Sequence, residues 1–172
     1  APAQTKQLVF VTVAGTSQRE ALQTAKRYPA ATVDHTFHDA LQETGRVVYK
    51  LGIAPAHLPE LQVLSSLLVH THPTFRTAPP TDAAGWQGQS DLWRFGVSGD
   101  YPILLLKITE LDSAWLLDTL VRGHRLWHFA GLKVDLVILR DAAGSYEEPL
   151  REQVLSVISD THATGLLGMR GG

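Results

Sequence analysis

The sequence predicts an α/β protein, with a small parallel βαβ unit in its C-terminal half, preceded by a helical segment and one N-terminal strand. Two apolar runs, Ile103–Ile108 and Lys133–Leu139, have the length and composition of strands. A helical pattern lies between them, and a second one runs from Tyr146 to about Thr161. Strands that alternate with helices in this way predict parallel pairing through a crossover helix. The unbroken apolar run of the first strand predicts that both of its faces are covered.

The N-terminal strand is predicted over Leu8–Val13, a run of β-branched and aromatic residues. Gly15 ends it, and Ser17 with Glu20 three residues later has the pattern of a capping box, which predicts a short helix that stops before Pro29. This strand could belong to the present domain or be the last strand of a preceding β-domain. The next predicted strand lies about 90 residues later, which favours a preceding domain because connections within domains are usually short.

A helical segment follows. One helix is predicted over Thr32–Leu51 and closed by Gly52, and another over Leu58–His70, where Pro73 prevents its continuation. Residues 74–89 are a long loop, which predicts a segment that wraps a surface or contacts something outside the chain. The helix between the strands is predicted to begin at Asp112 or Ser113. A two-stranded sheet cannot bury a core on its own, so we expect a third strand after Gly168 or from elsewhere.

The expected organisation is therefore residues 1–30 as the end of a preceding β-sandwich domain, 31–89 as a helical segment with a long loop, and 90–172 as the βαβα unit.

The net charge is −2 and the basic residues are dispersed, so we expect no nucleic-acid partner and no direct membrane contact. The chain has no cysteine, which excludes disulfides, zinc thiolate sites and iron–sulfur clusters. It begins at Ala1 without Met or a signal peptide, as expected of a piece of a longer protein.

The segment Leu92–Ile108 reads LWRFGVSGDYPILLLKI. It resembles bacterial cyclic β-1,2-glucan synthases and related glycoside-phosphorylase-like proteins (family 94-related), in which a Gly-Ile-Ser-Gly-Asp-Leu-Pro-Ile motif enters an apolar strand. The resemblance continues through His124–Trp127 and Gly131–Leu139, and upstream through Ser17–Leu22. Those residues resemble the exit from the family's β-sandwich domain.

The resemblance implies a bacterial origin, and a connector between two β-sandwich modules of a large inner-membrane enzyme, on the cytoplasmic side. The parent would be a glycosyltransferase or glycoside-phosphorylase-like enzyme that builds, cyclises and trims a glucan. The implied partners are flanking domains of the same polypeptide and a β-glucan oligosaccharide. No catalytic residue of the family falls on this chain, and no cofactor is implied. Gly123 and His128 stand where the family tends to have Ala and Arg, and Arg140 stands where Asn is usual.

The turn Ser98-Gly99-Asp100 is rich in small residues, so its backbone N–H groups could hold a phosphate. It leads into a strand rather than a helix, which removes the helix-dipole contribution. In the structural alternative, Gly99 adopts a left-handed conformation and Asp100 hydrogen-bonds local backbone before Tyr101 and Pro102. Asp100 could also act as an acid or base if a neighbouring domain supplied a second carboxylate.

An aromatic and polar cluster lies beside the long loop and consists of Trp86, Gln89, Trp93 and Arg94. Sugars stack on Trp faces and hydrogen-bond to amides, so this cluster could contact a glucan; alternatively, Trp93 and Phe95 anchor the loop on the core. The candidate binding residues are Trp86, Gln89, Trp93, Arg94, Ser98, Gly99 and Asp100.

The sequence contains eight histidines, the residue type that most often binds metal ions in proteins. His124 and His128 are four residues apart on a predicted helix, a spacing that can chelate zinc or nickel. Arg125 stands where the HExxH motif has Glu, and Trp127 favours a packing face. We therefore predict no metal site.

The sequence favours a non-catalytic domain of a carbohydrate-active enzyme that synthesises cyclic β-1,2-glucan or phosphorolyses β-glucan. Its role would be to position flanking domains and to contact glucan. Two alternatives stay open: a small carbohydrate-binding module that uses Trp86, Trp93 and Asp100, and a metal- or phosphate-dependent hydrolase.

Overall fold

The computed structural model describes residue 6 and residues 8–70, 88–109, 114–140 and 147–172, without the side chains of 147 and 148. The predicted loop over residues 74–89 and the predicted cap at Asp112 or Ser113 fall largely or wholly outside these ranges. The chain divides into two compact units, Ala1–Val47 and Val48–Gly172.

In the first unit, α1 (Gln18–Ala25) begins with the predicted cap. The Glu20 N–H donates to the Ser17 hydroxyl at 3.3 Å. The Glu20 carboxylate accepts from the Thr16 hydroxyl at 2.6 Å and from the Thr16 N–H at 2.9 Å, one residue earlier than in an ideal capping box. These two hydrogen bonds lower the pKa of Glu20. The capping residues were therefore readable from the sequence.

The predicted strand over Leu8–Val13 has no partner strand among the described residues, so its place in a preceding β-domain stays a prediction. Among the described residues this segment forms no β-ladder. It lines an apolar groove together with side chains of α1 and of the first turns of α2 (Val33–Lys50), among them Thr24 and Phe37. β-propensity marks a segment that would pair well, but it does not supply the neighbouring strand that a ladder requires.

The second unit contains the predicted βαβ arrangement. Gly52 follows α2 with φ +66°, the left-handed conformation that ends helices. The elements that follow are α3 (Leu58–Val69), α4 (Ser90–Trp93), β1 (Ile103–Ile108), α5 (Ala114–Phe129), β2 (Asp135–Arg140) and α6 (Glu147–Asp160), with 3₁₀ turns at Pro55–His57 and Thr164–Leu166. The strands pair in parallel, from Ile103 opposite Asp135 to Ile108 opposite Arg140. The α/β fold class is confirmed.

The core of the second unit lies between one face of the sheet and the helices α5 and α6. Leu106 and Ile108 of β1 pack there with Leu117 of α5 and Leu150 of α6. The opposite face is open: Leu105 is 58% exposed and Leu139 is 47% exposed. Within the described residues only one face of β1 is covered, because both helices lie against the same face, and cover of the second face stays a prediction.

The C-terminal residues bind the beginning of β2. The Asp135 N–H donates to the Pro102 carbonyl at 2.9 Å and so points toward β1, which places the Leu136 N–H on the opposite edge. There it donates to the Gly172 carbonyl at 3.0 Å. The described sheet has two strands, so the third strand stays a prediction. In the described part of the chain, no helix has the length and apolar character that crossing a membrane requires.

Candidate binding site

The turn that contains most of the candidate residues lies at the amino end of β1. The Phe95 and Val97 N–H groups both donate to the Leu92 carbonyl, which folds the chain back directly after α4. Gly99 then adopts φ +71°, and a Cβ at this position would lie 2.8 Å from Cγ of Gln89. Glycine is therefore required here by backbone conformation and by space.

Polar groups of this turn are bonded to one another. Nε2 of Gln89 donates to the Ser98 carbonyl at 2.9 Å and to Oδ1 of Asp100 at 3.1 Å. The Asp100 N–H donates to the Ser98 hydroxyl at 3.2 Å, and Oδ2 of Asp100 forms an ion pair with Arg170. The left-handed glycine is as expected. The Asp100 carboxylate, however, bonds two side chains from other segments rather than local backbone.

The aromatic residues beside the turn are on the surface. The indole N–H of Trp93 donates to the Ser98 carbonyl at 3.3 Å, but the residue is 65% exposed. Phe95 is 70% exposed, and the Arg94 guanidinium lies 4.7 Å from its ring centroid, a cation–π contact. The expectation that Trp93 and Phe95 anchor a loop on the core is therefore wrong, because a side chain that is mostly exposed buries too little area to do so.

Five of the seven predicted residues meet at this turn: Gln89, Trp93, Ser98, Gly99 and Asp100. Arg94 contacts Phe95 instead, and Trp86 lies outside the described residues. The sequence interpretation missed Arg170, the charged partner of Asp100. No local pattern could have identified it, because the two residues are far apart in the chain.

The arrangement suits a structural role better than acid–base chemistry. Gln89 and Arg170 both donate to the negatively charged Asp100 carboxylate. A phosphate on the same turn would meet this negative charge, and the Asp100 N–H is already bonded to Ser98. The turn also lies at the amino end of β1, whereas ligands of open α/β sheets bind at the carboxyl ends of the strands.

His124 is a packing residue. It is 3% exposed, and its Nε2 donates to the Val134 carbonyl at 2.7 Å. Burial lowers the pKa of His124, and the hydrogen bond to Val134 opposes that shift only in part. Trp127 is also buried on this helix, whereas His128 is exposed. Nε2 of His124 is therefore unavailable to a metal, and the described residues contain no group of three or more His, Cys, Asp or Glu side chains that could hold one.

Comparison with known proteins gives one informative relative. The chain is 26% identical over 160 residues to the cyclic beta-(1,2)-glucan synthase NdvB of Rhizobium meliloti (strain 1021). The aligned region covers 92% of this chain and 6% of the relative, so the chain spans a small part of that protein's length. No family model and no solved structure matches. This similarity supports a relationship between the chain and glucan synthases, and therefore a general connection to carbohydrate-active enzymes.

Proposed function

We propose that this chain is a non-catalytic α/β domain of an enzyme that synthesises or phosphorolyses β-glucan, and that it holds neighbouring parts of the same polypeptide in position. The observation that carries the proposal is the pairing of the Asp100 carboxylate with Gln89 and Arg170. Each carboxylate oxygen accepts from a protein side chain, so the contacts that the structure shows for Asp100 are contacts that hold the fold together.

Contacts around this carboxylate join three segments that are distant in the sequence. Arg170 binds Asp100 before β1, and the next residue, Gly171, donates its N–H to Oδ1 of Asp135 at 2.7 Å at the start of β2. The C-terminal residues are thus fixed to the beginnings of both strands. A rigid connection of this kind is what a domain needs if it is to set the position of its neighbours.

The open face of the sheet supports docking of a neighbouring domain. Ile103, Leu105 and Leu139 are exposed on it, although parallel sheets usually have both faces covered. Exposed apolar patches of this kind mark protein interaction sites. We propose that the occupant is a flanking domain of the same polypeptide.

A region exchange tests this function. The corresponding region of the rhizobial glucan synthase is replaced by this chain, and cyclic glucan production is measured in membranes. We expect production to persist, and the isolated chain to show no synthesis or phosphorolysis of β-1,2-glucan. Turnover by the isolated chain would contradict the proposal.

A matched pair of substitutions tests the docking face within the exchanged protein. Leu139→Asp should abolish glucan production by placing a charge in the docking contact. Leu155→Asp on α6 is the control, since both leucines are 47% exposed. Equal effects of the two substitutions would argue against docking at the sheet.

A second candidate function is glucan binding at the turn, as in a carbohydrate-binding module. The exposed ring of Trp93 favours it, because its indole N–H is held by Ser98 while the ring remains accessible. Titration of the chain with β-1,2-gluco-oligosaccharides should then quench the fluorescence of Trp93, and Trp93→Phe should abolish that response.

A further inference from the structure

A pocket of about 210 Å³ lies in the second unit, between the segment that follows α2 and one face of α5. Trp115, Asp118, Thr119 and Arg122 of α5 line it, and His57 faces them from the turn before α3. The four helical residues are spaced i, i+3, i+4 and i+7, which places them on one side of the helix. The pocket is separate from the turn at Ser98.

The polar groups of the pocket are held in place by the protein. Nε of Arg122 donates to Oδ2 of Asp118 at 2.7 Å, and Nη1 donates to the Leu51 carbonyl at 2.7 Å. Two nitrogen atoms of the Arg122 guanidinium, Nε and Nη1, are therefore held by the protein itself. A ligand would lose less free energy to ordering of the side chains than at a mobile surface.

Several hydrogen-bonding positions in the pocket remain available. A guanidinium has five N–H donors, and the two contacts of Arg122 use two of them. Within the described residues, Oδ1 of Asp118 and the Thr119 hydroxyl have no hydrogen-bond partner. The pocket thus offers donors, acceptors and a hydroxyl that can act as either.

The charge and shape of the pocket select the class of ligand. Asp118 and Arg122 neutralise each other, so this ion pair gives the pocket no net charge with which to attract an anion or a cation. The indole of Trp115 is 64% exposed and offers an apolar face beside these polar groups. The pocket volume is below the roughly 300–1,000 Å³ of sites for drug-sized ligands, which suits a single ring.

We propose that this pocket binds one pyranose ring of a neutral sugar, with the C–H face of the ring on Trp115 and its hydroxyls on Asp118, Thr119 and Arg122. Vicinal hydroxyls each donate and accept, which matches the mixed donors and acceptors here. The choice of a β-linked glucosyl unit rests on the proposed function. The preference for an uncharged polyol rests on the pocket alone.

The test uses the whole 172-residue chain and the β-1,2-linked glucose disaccharide sophorose. The indole N–H resonances of the four tryptophans are assigned by single Trp→Phe substitutions and followed during the titration. We expect a saturable shift of the Trp115 resonance. Trp115→Ala should weaken binding at least tenfold, and Thr119→Val should weaken it about two- to tenfold through loss of one hydrogen bond.

Phe129→Ala is the matched control, because Phe129 is 66% exposed on the same helix as Trp115 but lies outside the pocket; it should leave the sophorose affinity unchanged. Inorganic phosphate should not compete with sophorose. The proposal is overturned if sophorose causes no saturable shift at Trp115, if Phe129→Ala weakens binding as much as Trp115→Ala, or if phosphate displaces the sugar. Circular dichroism and thermal melting establish that each variant is folded.

The two proposals fail in different ways. Loss of glucan production in the region exchange, with sophorose binding intact, would refute the positioning role and leave the pocket. Normal production in the exchange, without sophorose binding by the chain, would refute the pocket alone.

Discussion

Arg122 on α5 donates a hydrogen bond to the carbonyl oxygen of Leu51 at 2.7 Å, across 71 residues of sequence. Leu51 follows α2, where the last carbonyls of a helix have no partner within the helix, and the next residue, Gly52, turns the chain with φ +66°. Asp118 holds the same guanidinium and raises the pKa of Arg122. One arginine therefore joins the end of α2 to α5.

Substituting Arg122 should destabilise the second unit. Arg122→Gln removes a charged hydrogen bond from a carbonyl that the protein partly shields from water, so we expect the free energy of unfolding to fall by about 1.5–3 kcal/mol. Urea unfolding followed by circular dichroism measures it. Arg46→Gln is the control, since Arg46 pairs with Glu43 on an exposed helix surface and should cost less than about 1 kcal/mol. Equal losses would show that the bond to Leu51 contributes little.

Asp135 should hold the C-terminal residues in place. Its carboxylate is buried, Oδ1 accepts from the Gly171 N–H, and Oδ2 has no partner among the described residues. Asp135→Asn keeps an acceptor for the Gly171 N–H, so it should be tolerated. Asp135→Ala leaves the Gly171 N–H unpaired and should cost about 1–3 kcal/mol. Hydrogen exchange should show faster exchange of the Gly171 and Leu136 amides in the alanine variant only; equal exchange in both variants would contradict this role.

Elements with a strong local pattern were predictable from the sequence. Ile103–Ile108 has the bounds that its apolar run predicts, and β2 begins two residues later than predicted and ends one residue later. Ser17 and Glu20 identified the start of α1 because capping is decided within four residues. Leu8–Val13 has no partner strand among the described residues, and its pairing could not be read from the sequence because a strand depends on a neighbour that no local pattern reveals.

The site was predictable only in part, for the same reason. Gly99 and its turn could be read locally, whereas the bonds from Gln89 and Arg170 to Asp100 join segments that meet only in the folded chain. The spacing of Trp115 and Arg122 on one helix face was also readable. The pocket they form was not, because its other wall comes from the segment after α2.

Two glycines on helices should respond in opposite directions to alanine. A Cβ on Gly123 of α5 would overlap Cδ2 of Leu61, which is 2% exposed on α3, so Gly123→Ala should destabilise by about 1–3 kcal/mol through overpacking. A Cβ on Gly45 of α2 would meet no atom within 4 Å, so Gly45→Ala should stabilise by about 0.4–1 kcal/mol.

Thermal and urea unfolding of both glycine variants measure these effects. Leu61→Ala combined with Gly123→Ala should lose less stability than the sum of the two single losses, because the smaller side chain leaves room for the methyl group. If Gly45→Ala destabilises the protein as much as Gly123→Ala does, helix packing at Gly123 is not the cause of the loss.

The stability of the second unit should fall as the pH drops below about 6.5 because of His124. An unfolded histidine has a pKa of about 6.5, and burial lowers the pKa of His124 in the folded chain. Below pH 6.5 the unfolded state therefore binds more protons than the folded state, so stability is full above this pH and is lost as the pH falls toward the lowered pKa. His124→Gln, which keeps a donor for the Val134 carbonyl, should flatten this dependence in urea unfolding across the pH range. The control His70→Gln, at an exposed position after α3, should retain the dependence of the original chain, and an unchanged slope in His124→Gln would exclude His124 as its source.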